Sequence, residues 1–257
     1  MPARRCWMPK VALTRALLVV SIFVLLELLC RTGAIGRVTM IPPSEMVFAL
    51  VDILRSGQFN SDIAFTCINT VGATALAIAA GFMLGAALHA LPRLRRAVDP
   101  LLSAYYAIPT FVFYPLLIVV FGAGRTALIV IGAMFGIVAM IINTVLGLDH
   151  VPQAVARSGH ILKLDGLRQL VLIRLPAAAP HLVSGIKLAV AYSVIGIVAG
   201  EFILATRGIG KRVAFAYDNF DNRTMYGLLL LLLIAVAAVN GCLSTWEKRL
   251  HRRFGQR

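Results

Sequence analysis

A chain of 257 residues with 60% hydrophobic and only 14% charged side chains, and a mean hydropathy of +0.87, lies outside the soluble norm of roughly 45–50% apolar and about 25% charged; it is an integral membrane protein. The formal net charge of +14 invites a nucleic-acid reading, but the basic residues are distributed by loop rather than gathered in a patch, which makes them a topology signal aided by anionic headgroups. Period-two alternation is absent, which argues against a β-barrel.

About six stretches are long enough as helix to cross a hydrocarbon core, which takes roughly 20 apolar residues: 11–30, 64–88, 101–121, 126–148, 182–205 and 225–245. Arg4, Arg5 and Lys10 give the first the look of a signal peptide; its length, Glu27 inside it and the lack of a small-residue cleavage pattern after Cys30 predict an uncleaved helix instead. In the loop that follows, Pro42 and Pro43 before Ser44 and Glu45 mark a helix start. Met46, Leu50, Ile53 and Leu54 form its apolar stripe, so a short interfacial helix is expected on the outer surface, packed on the bundle or touched by a periplasmic partner. In the second span Gly72, Ala75, Ala79, Ala80, Gly81 and Gly85 are expected to let helices approach closely. The third contains "YAIPTFVFYPLLIVVFG", where Pro109 and Pro115 predict a kink, either a hinge or a static bend.

Polar groups inside spans are costly, which makes them functional candidates. Asn69, Asn143 and Asn240 read as interhelical hydrogen-bonders; Glu27 and Lys187 sit near span ends and can snorkel; Glu201, in "GIVAGEFILATRGIG", either lines a pathway or reaches the interface. Tyr105, Tyr106, Pro109, Asn143, Lys187, Tyr192 and Glu201 are the candidates for a solute path, suited equally to a small anion or a flat aromatic. The four cysteines are scattered without a CxxC, so neither a disulfide framework nor a metal site is indicated. HExxH and GxSxG are missing, and "RGIGKR" lacks the upstream glycine and the following Ser or Thr of a phosphate loop. No catalytic residue and no bound cofactor are therefore expected in this chain, and it cannot hydrolyse ATP by itself. Sixteen basic residues fall on the segments that six spans would leave inside and eight on those outside, which predicts cytoplasmic termini at both ends.

The longest inner segment is "VPQAVARSGHILKLDGLRQLVLIRLPAAAP", residues 151–180. Gln153, Arg157, His160 and Lys163 recur at helical spacing while Val151, Val155 and Leu162 take the opposite side, the pattern of a basic, two-faced surface helix. Asp165-Gly166 is the expected turn, with Gly166 at positive φ, and Leu175-Pro176 the expected stop before the fifth span.

This segment resembles the cytoplasmic coupling loop of bacterial ABC importer permeases, whose consensus is Glu-Ala-Ala, three residues, Gly, then about nine residues to Ile-x-Leu-Pro. "IRLPAAAPHLVSGIKLAVAY" (173–192) is similar to the end of that loop and the span after it. The resemblance extends to the sulfonate, nitrate and taurine branch through "IPPSEMV", "AIPTFVFYPLLIVVFG", "NTVLGL" and "VAGEF" with "GIG", in that order. The coupling motif itself departs from consensus. In the preferred ungapped register Arg157, Ser158 and Gly159 stand at the Glu-Ala-Ala positions and Lys163 at the glycine; a rival register, "QAVARSG" from Gln153 to Gly159, keeps the glycine but needs four more residues before Leu175-Pro176.

The resemblance implies the type I ABC importer fold: one all-α permease domain over 1–257, with a first span and outer helix (1–63), core spans (64–245), a coupling loop (149–180) holding Gln153, Arg157, Ser158, Gly159, His160, Lys163, Asp165, Gly166 and Pro176, and a basic tail (246–257). It implies as partners a cytoplasmic ABC ATPase dimer that uses ATP and Mg, a periplasmic or lipid-anchored solute-binding protein, a second permease copy and the lipid bilayer of the bacterial inner membrane, and no nucleic acid. Solutes of the sulfonate, nitrate, taurine-like or vitamin-precursor class would follow. A proton-coupled secondary transporter using Glu27, His89 and Glu201 is the alternative, but no inverted repeat supports it, and a membrane enzyme lacks any reactive constellation.

Overall fold

The structure, a computed structural model, describes residues 8–105, 107–152, 165–203 and 205–254, all of them helices and their connections. In chain order these are α1 (Met8–Arg31), α2 (Pro43–Ser56), α3 (Asn60–Ala90), α4 (Pro92–Tyr105), a 3-10 turn (Thr110–Phe113), α5 (Tyr114–Phe121) and α6 (Arg125–Asp149). A helical turn (Gly166–Gln169) and a π turn (Leu170–Arg174) then lead into α7 (Leu175–Ile203), followed by α8 (Ile209–Asp218) and α9 (Asn222–Phe254). Among the described residues four helices are long and apolar enough to cross a membrane, five if the bent pair Pro92–Tyr105 and Thr110–Phe121 counts as one span. The protein is a multi-pass helical membrane protein. Two compact units contain these elements, one of Met1–Asn60 with Arg212–Leu233, the other of Ser61–Lys211 with Ile234–Arg257.

In the first unit α2 starts on Pro43 with no side-chain cap of its own, and α1 supplies one. Glu27 Oε2 accepts the Ser44 N–H at 3.0 Å, and Oε1 accepts both the Ser44 hydroxyl and Arg31 Nε at 2.6 Å. A carboxylate at a helix N-terminus satisfies an orphan donor and the dipole together. Glu27 therefore fixes the start of α2 to α1. The buried stripe of α2 is Ala49, Leu50 and Ile53, while Leu54, expected to belong to it, is 51% exposed.

The second unit is built around α6, the helix with the largest buried share of its span, 61% against 28% for α3 and 33% for α7. Helix α3 lies parallel to it. A Cβ at Gly81 would meet Met140 Cβ at 2.7 Å and one at Gly85 would meet Thr144 Cβ at 2.7 Å, so the two backbones touch where only glycine fits. The contact face of α3 runs Asp62, Thr66, Asn69, Ala73, Ala77, Gly81, Gly85 and Leu88; of the small residues singled out from sequence, Ala75 and Ala79 are exposed to the lipid side. Helix α7 runs antiparallel on the other side, Gly196 and Ser193 near the start of α6 and Ala178 near its end, at Gly147. At the α6 C-terminus Asp149 accepts from Arg95 Nη1 of α4 at 2.6 Å and pairs with His89 Nδ1 of α3 at 2.8 Å. This clasp gathers the ends of three elements directly before the long inner loop.

Two expectations need correction. The third span is not one kinked helix. It breaks between Tyr105 and Thr110, and the two halves make an angle of 98°. Nor does Leu175-Pro176 stop a helix. Pro176 has no N–H to donate, and the chain meets this with the π turn immediately before it, where Leu175 N–H reaches back to the Leu170 carbonyl. Helix thus continues from Leu170 to Ile203 as one 34-residue segment. Gly166 is not among the glycines at positive φ and opens the preceding helical turn instead of forming a bend.

Candidate functional site

Because α4 ends at Tyr105 and α5 does not begin until Tyr114, the chain passes through Ala107, Ile108 and Pro109, all exposed, with extended backbone at Pro109. Non-helical backbone at membrane depth is tolerated only where protein buries it or where it lines a cavity. Here it lines one. Tyr105, Ile108, Pro109, Thr110 and Phe111 from the break, Phe135 from α6 and Tyr192 and Ile195 from α7 surround an open pocket of about 310 Å³, at the lower end of ordinary ligand sites of roughly 300–1,000 Å³. Phe135 lies ten residues into α6 and Tyr192 eleven from the end of α7. At 1.5 Å per residue both are about 15 Å from that end of the bundle.

The walls are aromatic. Phe111 and Phe135 pack with centroids 4.7 Å apart and rings tilted by 46°, within the range of centroid separations of interacting aromatic pairs. The Tyr105 hydroxyl is turned to the Met134 carbonyl at 2.6 Å, which anchors the end of α4 to α6. Of the path residues chosen from sequence, Tyr105, Pro109 and Tyr192 come together here, and Tyr106 lies outside the described residues. The other three are engaged elsewhere. Asn143 Nδ2 donates to Ala139 O of its own helix at 2.8 Å and not to another helix. Lys187 pairs with Glu247 at 3.1 Å, and Glu247 also accepts the Ser184 hydroxyl at 2.7 Å, which ties α7 to α9 near the end of the apolar span Asn222–Lys248.

Glu201 is 0% exposed and belongs to a knot that joins α7, α3 and α8. Its Oε2 accepts Thr66 Oγ1 at 2.8 Å and Gly210 N–H at 3.1 Å; Thr66 Oγ1 in turn accepts Ile209 N–H at 2.9 Å, and Asp62 Oδ1 accepts Gly208 N–H at 3.0 Å. Three successive donors at the start of α8 are thereby taken by side chains of other helices, which satisfies an N-terminus that has few acceptors of its own. Gly208 sits at φ +111°, and a Cβ there would lie 2.3 Å from the Glu201 carboxyl carbon. Sequence reasoning missed Asp62 and Thr66. Their signal was the i, i+4, i+7 stripe that they form with Asn69 at the start of an otherwise apolar span.

The coupling candidates Gln153, Arg157, Ser158, Gly159, His160 and Lys163 lie outside the described residues. Asp165, Gly166 and Pro176 are described, and all three are exposed.

A family model described as "Binding-protein-dependent transport system inner membrane component" matches residues 77–256, more than two thirds of the chain. The chain belongs to this family. Within the family it is 31% identical over 223 residues to the taurine transport system permease protein TauC of Escherichia coli (strain K12), covering 84% of this chain and 80% of that protein. It is 29% identical over 161 residues to the riboflavin transport system permease protein RibX of Chloroflexus aurantiacus, covering 60% of each. The chain thus spans about three fifths of the length of several curated relatives it matches. Among solved structures, an inward-facing form of the MetNI methionine ABC transporter superposes with a TM-score of 0.66 at 18% identity, over 75% of this chain and 95% of that one; at that identity the likeness is one of fold.

Proposed function

We propose that this chain is the permease subunit of an ATP-driven importer and passes a small solute across the bacterial inner membrane. The observation that carries this reading is the helix break between Tyr105 and Thr110, which lines an open pocket, in a chain of the binding-protein-dependent transport family. A static bundle would have little reason to leave the backbone of Ile108 and Pro109 non-helical inside a bilayer. In this reading the 257 residues act as one permease domain with six spans, α1 being the first; its apolar side chains Leu17, Leu18, Ile22 and Leu25 are more than half exposed, as suits lipid contact. A second copy completes the path, a solute-binding protein delivers to the outer face, and two ABC ATPases bind the inner loops. Relatives are named for taurine and riboflavin, and the substrate belongs to the class of small polar or vitamin-like solutes. The secondary-transporter alternative loses ground because Glu27, His89 and Glu201 all hold structural hydrogen bonds.

The test is energetic. Purified alone, the chain is expected to hydrolyse no ATP. Co-expressed with its ATPase it should co-purify at one ATPase per permease and transport only when ATP is supplied. Uptake driven by a proton gradient without the ATPase would reverse the assignment. Orientation is tested separately in a cysteine-free background. Ser56→Cys, exposed at the end of α2, should label from outside in intact cells, and Gly166→Cys, exposed before α7, should label only after permeabilisation. Outside labelling of Gly166→Cys would invert the topology.

A further inference from the structure

The pocket at the break carries a statement about what passes through it. We propose that it is a stacking site for flat, uncharged heteroaromatic solutes and not a site for small anions; this rests on the permease reading above. Among the described residues its lining holds no Lys, Arg or His, but two tyrosines, two phenylalanines, two isoleucines, a proline and a threonine. A small anion entering such a chamber gives up hydration and meets no positive charge, the costliest transfer there is. The one cation among the sequence-chosen path residues is spoken for, since Lys187 pairs with Glu247, and it does not line the pocket. Nor is the Tyr105 hydroxyl an obvious anion donor, because it is committed to the Met134 carbonyl.

A planar ring meets the opposite situation. Phe111, Phe135 and Tyr192 line the chamber from three separate helical segments, and every heteroaromatic ring has a π-face to set against an aromatic side chain. Phe111 and Phe135 are only partly buried, which leaves ring surface for a third partner. Exposed Ile108 and Ile195 at the rim, 48% and 53% accessible, give an apolar entrance that an uncharged ring crosses at far lower desolvation cost than an anion.

The experiment uses the assembled transporter, permease with its ATPase, in nanodiscs without binding protein. Riboflavin serves as the fluorescent flat probe, a panel of uncharged pyrimidines and purines as competitors, and nitrate and taurine as small charged competitors. Saturable quenching is expected, displaced by members of the flat panel and untouched by a large excess of nitrate or taurine. Phe111→Ala with Tyr192→Ala should weaken it by about tenfold or more, the size of a lost stacking contact, whereas Phe111→Tyr should keep it, which separates stacking from a folding defect. Absence of binding by every flat probe, or displacement by nitrate or taurine, overturns the proposal while ATPase co-purification leaves the permease reading standing. If Ile195→Cys instead cross-links copies quantitatively and the pocket variants change nothing, the chamber is an interface between copies and the proposal falls. Loss of ATPase assembly in the unmutated protein would strike the permease reading itself.

Discussion

Glu201→Ala is expected to lower the thermal midpoint of the purified protein by about 5–15 °C, read by size exclusion after heating in detergent. The substitution leaves the Thr66 hydroxyl and the Gly210 N–H without their acceptor at a position with no solvent exposure. Each buried group stranded in this way costs roughly 1–3 kcal/mol, and for chains of this size each kcal/mol is worth about 2–4 °C. Glu201→Gln separates hydrogen bonding from charge. It keeps one acceptor oxygen for the two donors, and its amide nitrogen takes the place of Oε1, which has no partner among the described residues. The Gln variant should therefore stay within a few degrees of wild type. Gly208→Ala should resemble Glu201→Ala, because its methyl would overlap the carboxylate and the backbone is held at φ +111°. Equal stability of all three variants would mean that the knot does not hold α8.

How much of this was legible in the sequence differs by kind of signal. Apolar runs placed helices α1, α3 and α6 within about four residues and found α7 and α9, although helix begins seven residues before the expected start of α7 and continues nine past the expected end of α9, since burial in lipid demands a run of roughly fixed length. The glycines of α3 were readable as packing residues, but their facing partners were not. Close approach is a relation between two helices, and Ala75 and Ala79 look the same in sequence as Ala73 and Ala77, which are the residues that touch α6. The break in the expected third span was legible in part, at Pro109 but not at Pro115. Pro109 and Pro115 are visible, but Pro115 sits in the first turn of α5, where a missing N–H costs nothing, whereas the interruption lies on the N-terminal side of Pro109, whose predecessor Ile108 is biased away from helix. Leu175-Pro176 read as a stop because the π turn that absorbs it depends on backbone geometry and leaves no residue signature. At the pocket, Tyr105, Pro109 and Tyr192 were found by residue type, while Phe111 and Phe135 were passed over because an aromatic in an apolar run carries no mark of what it faces.

Replacing Arg157 and Lys163 together by Glu is expected to abolish co-purification of the ATPase while leaving insertion and folding intact. Both residues belong to the basic face that the sequence sets opposite Val151, Val155 and Leu162, and a helix of this kind suits a groove on a soluble partner. Reversing two charges in such a contact puts repulsion where attraction stood, and loss of one partner of a buried charged pair costs on the order of 2–5 kcal/mol, a weakening of roughly 30-fold or more for a single contact. The mechanical consequence follows from the far side of the loop. Helix runs from Gly166 through the π turn to Ile203, roughly 55 Å at 1.5 Å per residue, past Tyr192 at the pocket and on to Glu201, which holds the first residues of α8. In the proposed coupling reading, a displacement of the 149–180 loop is carried along this one element to the pocket and on to Glu201, so uncoupling the loop should silence transport even when solute binding at the pocket is unchanged. Measured side by side, ATPase retention and riboflavin quenching should therefore separate in this double variant, the first lost and the second kept. If the variant assembled and transported at the wild-type rate, the two residues would be solvated surface, and the coupling register would shift to the Gln153-to-Gly159 alignment.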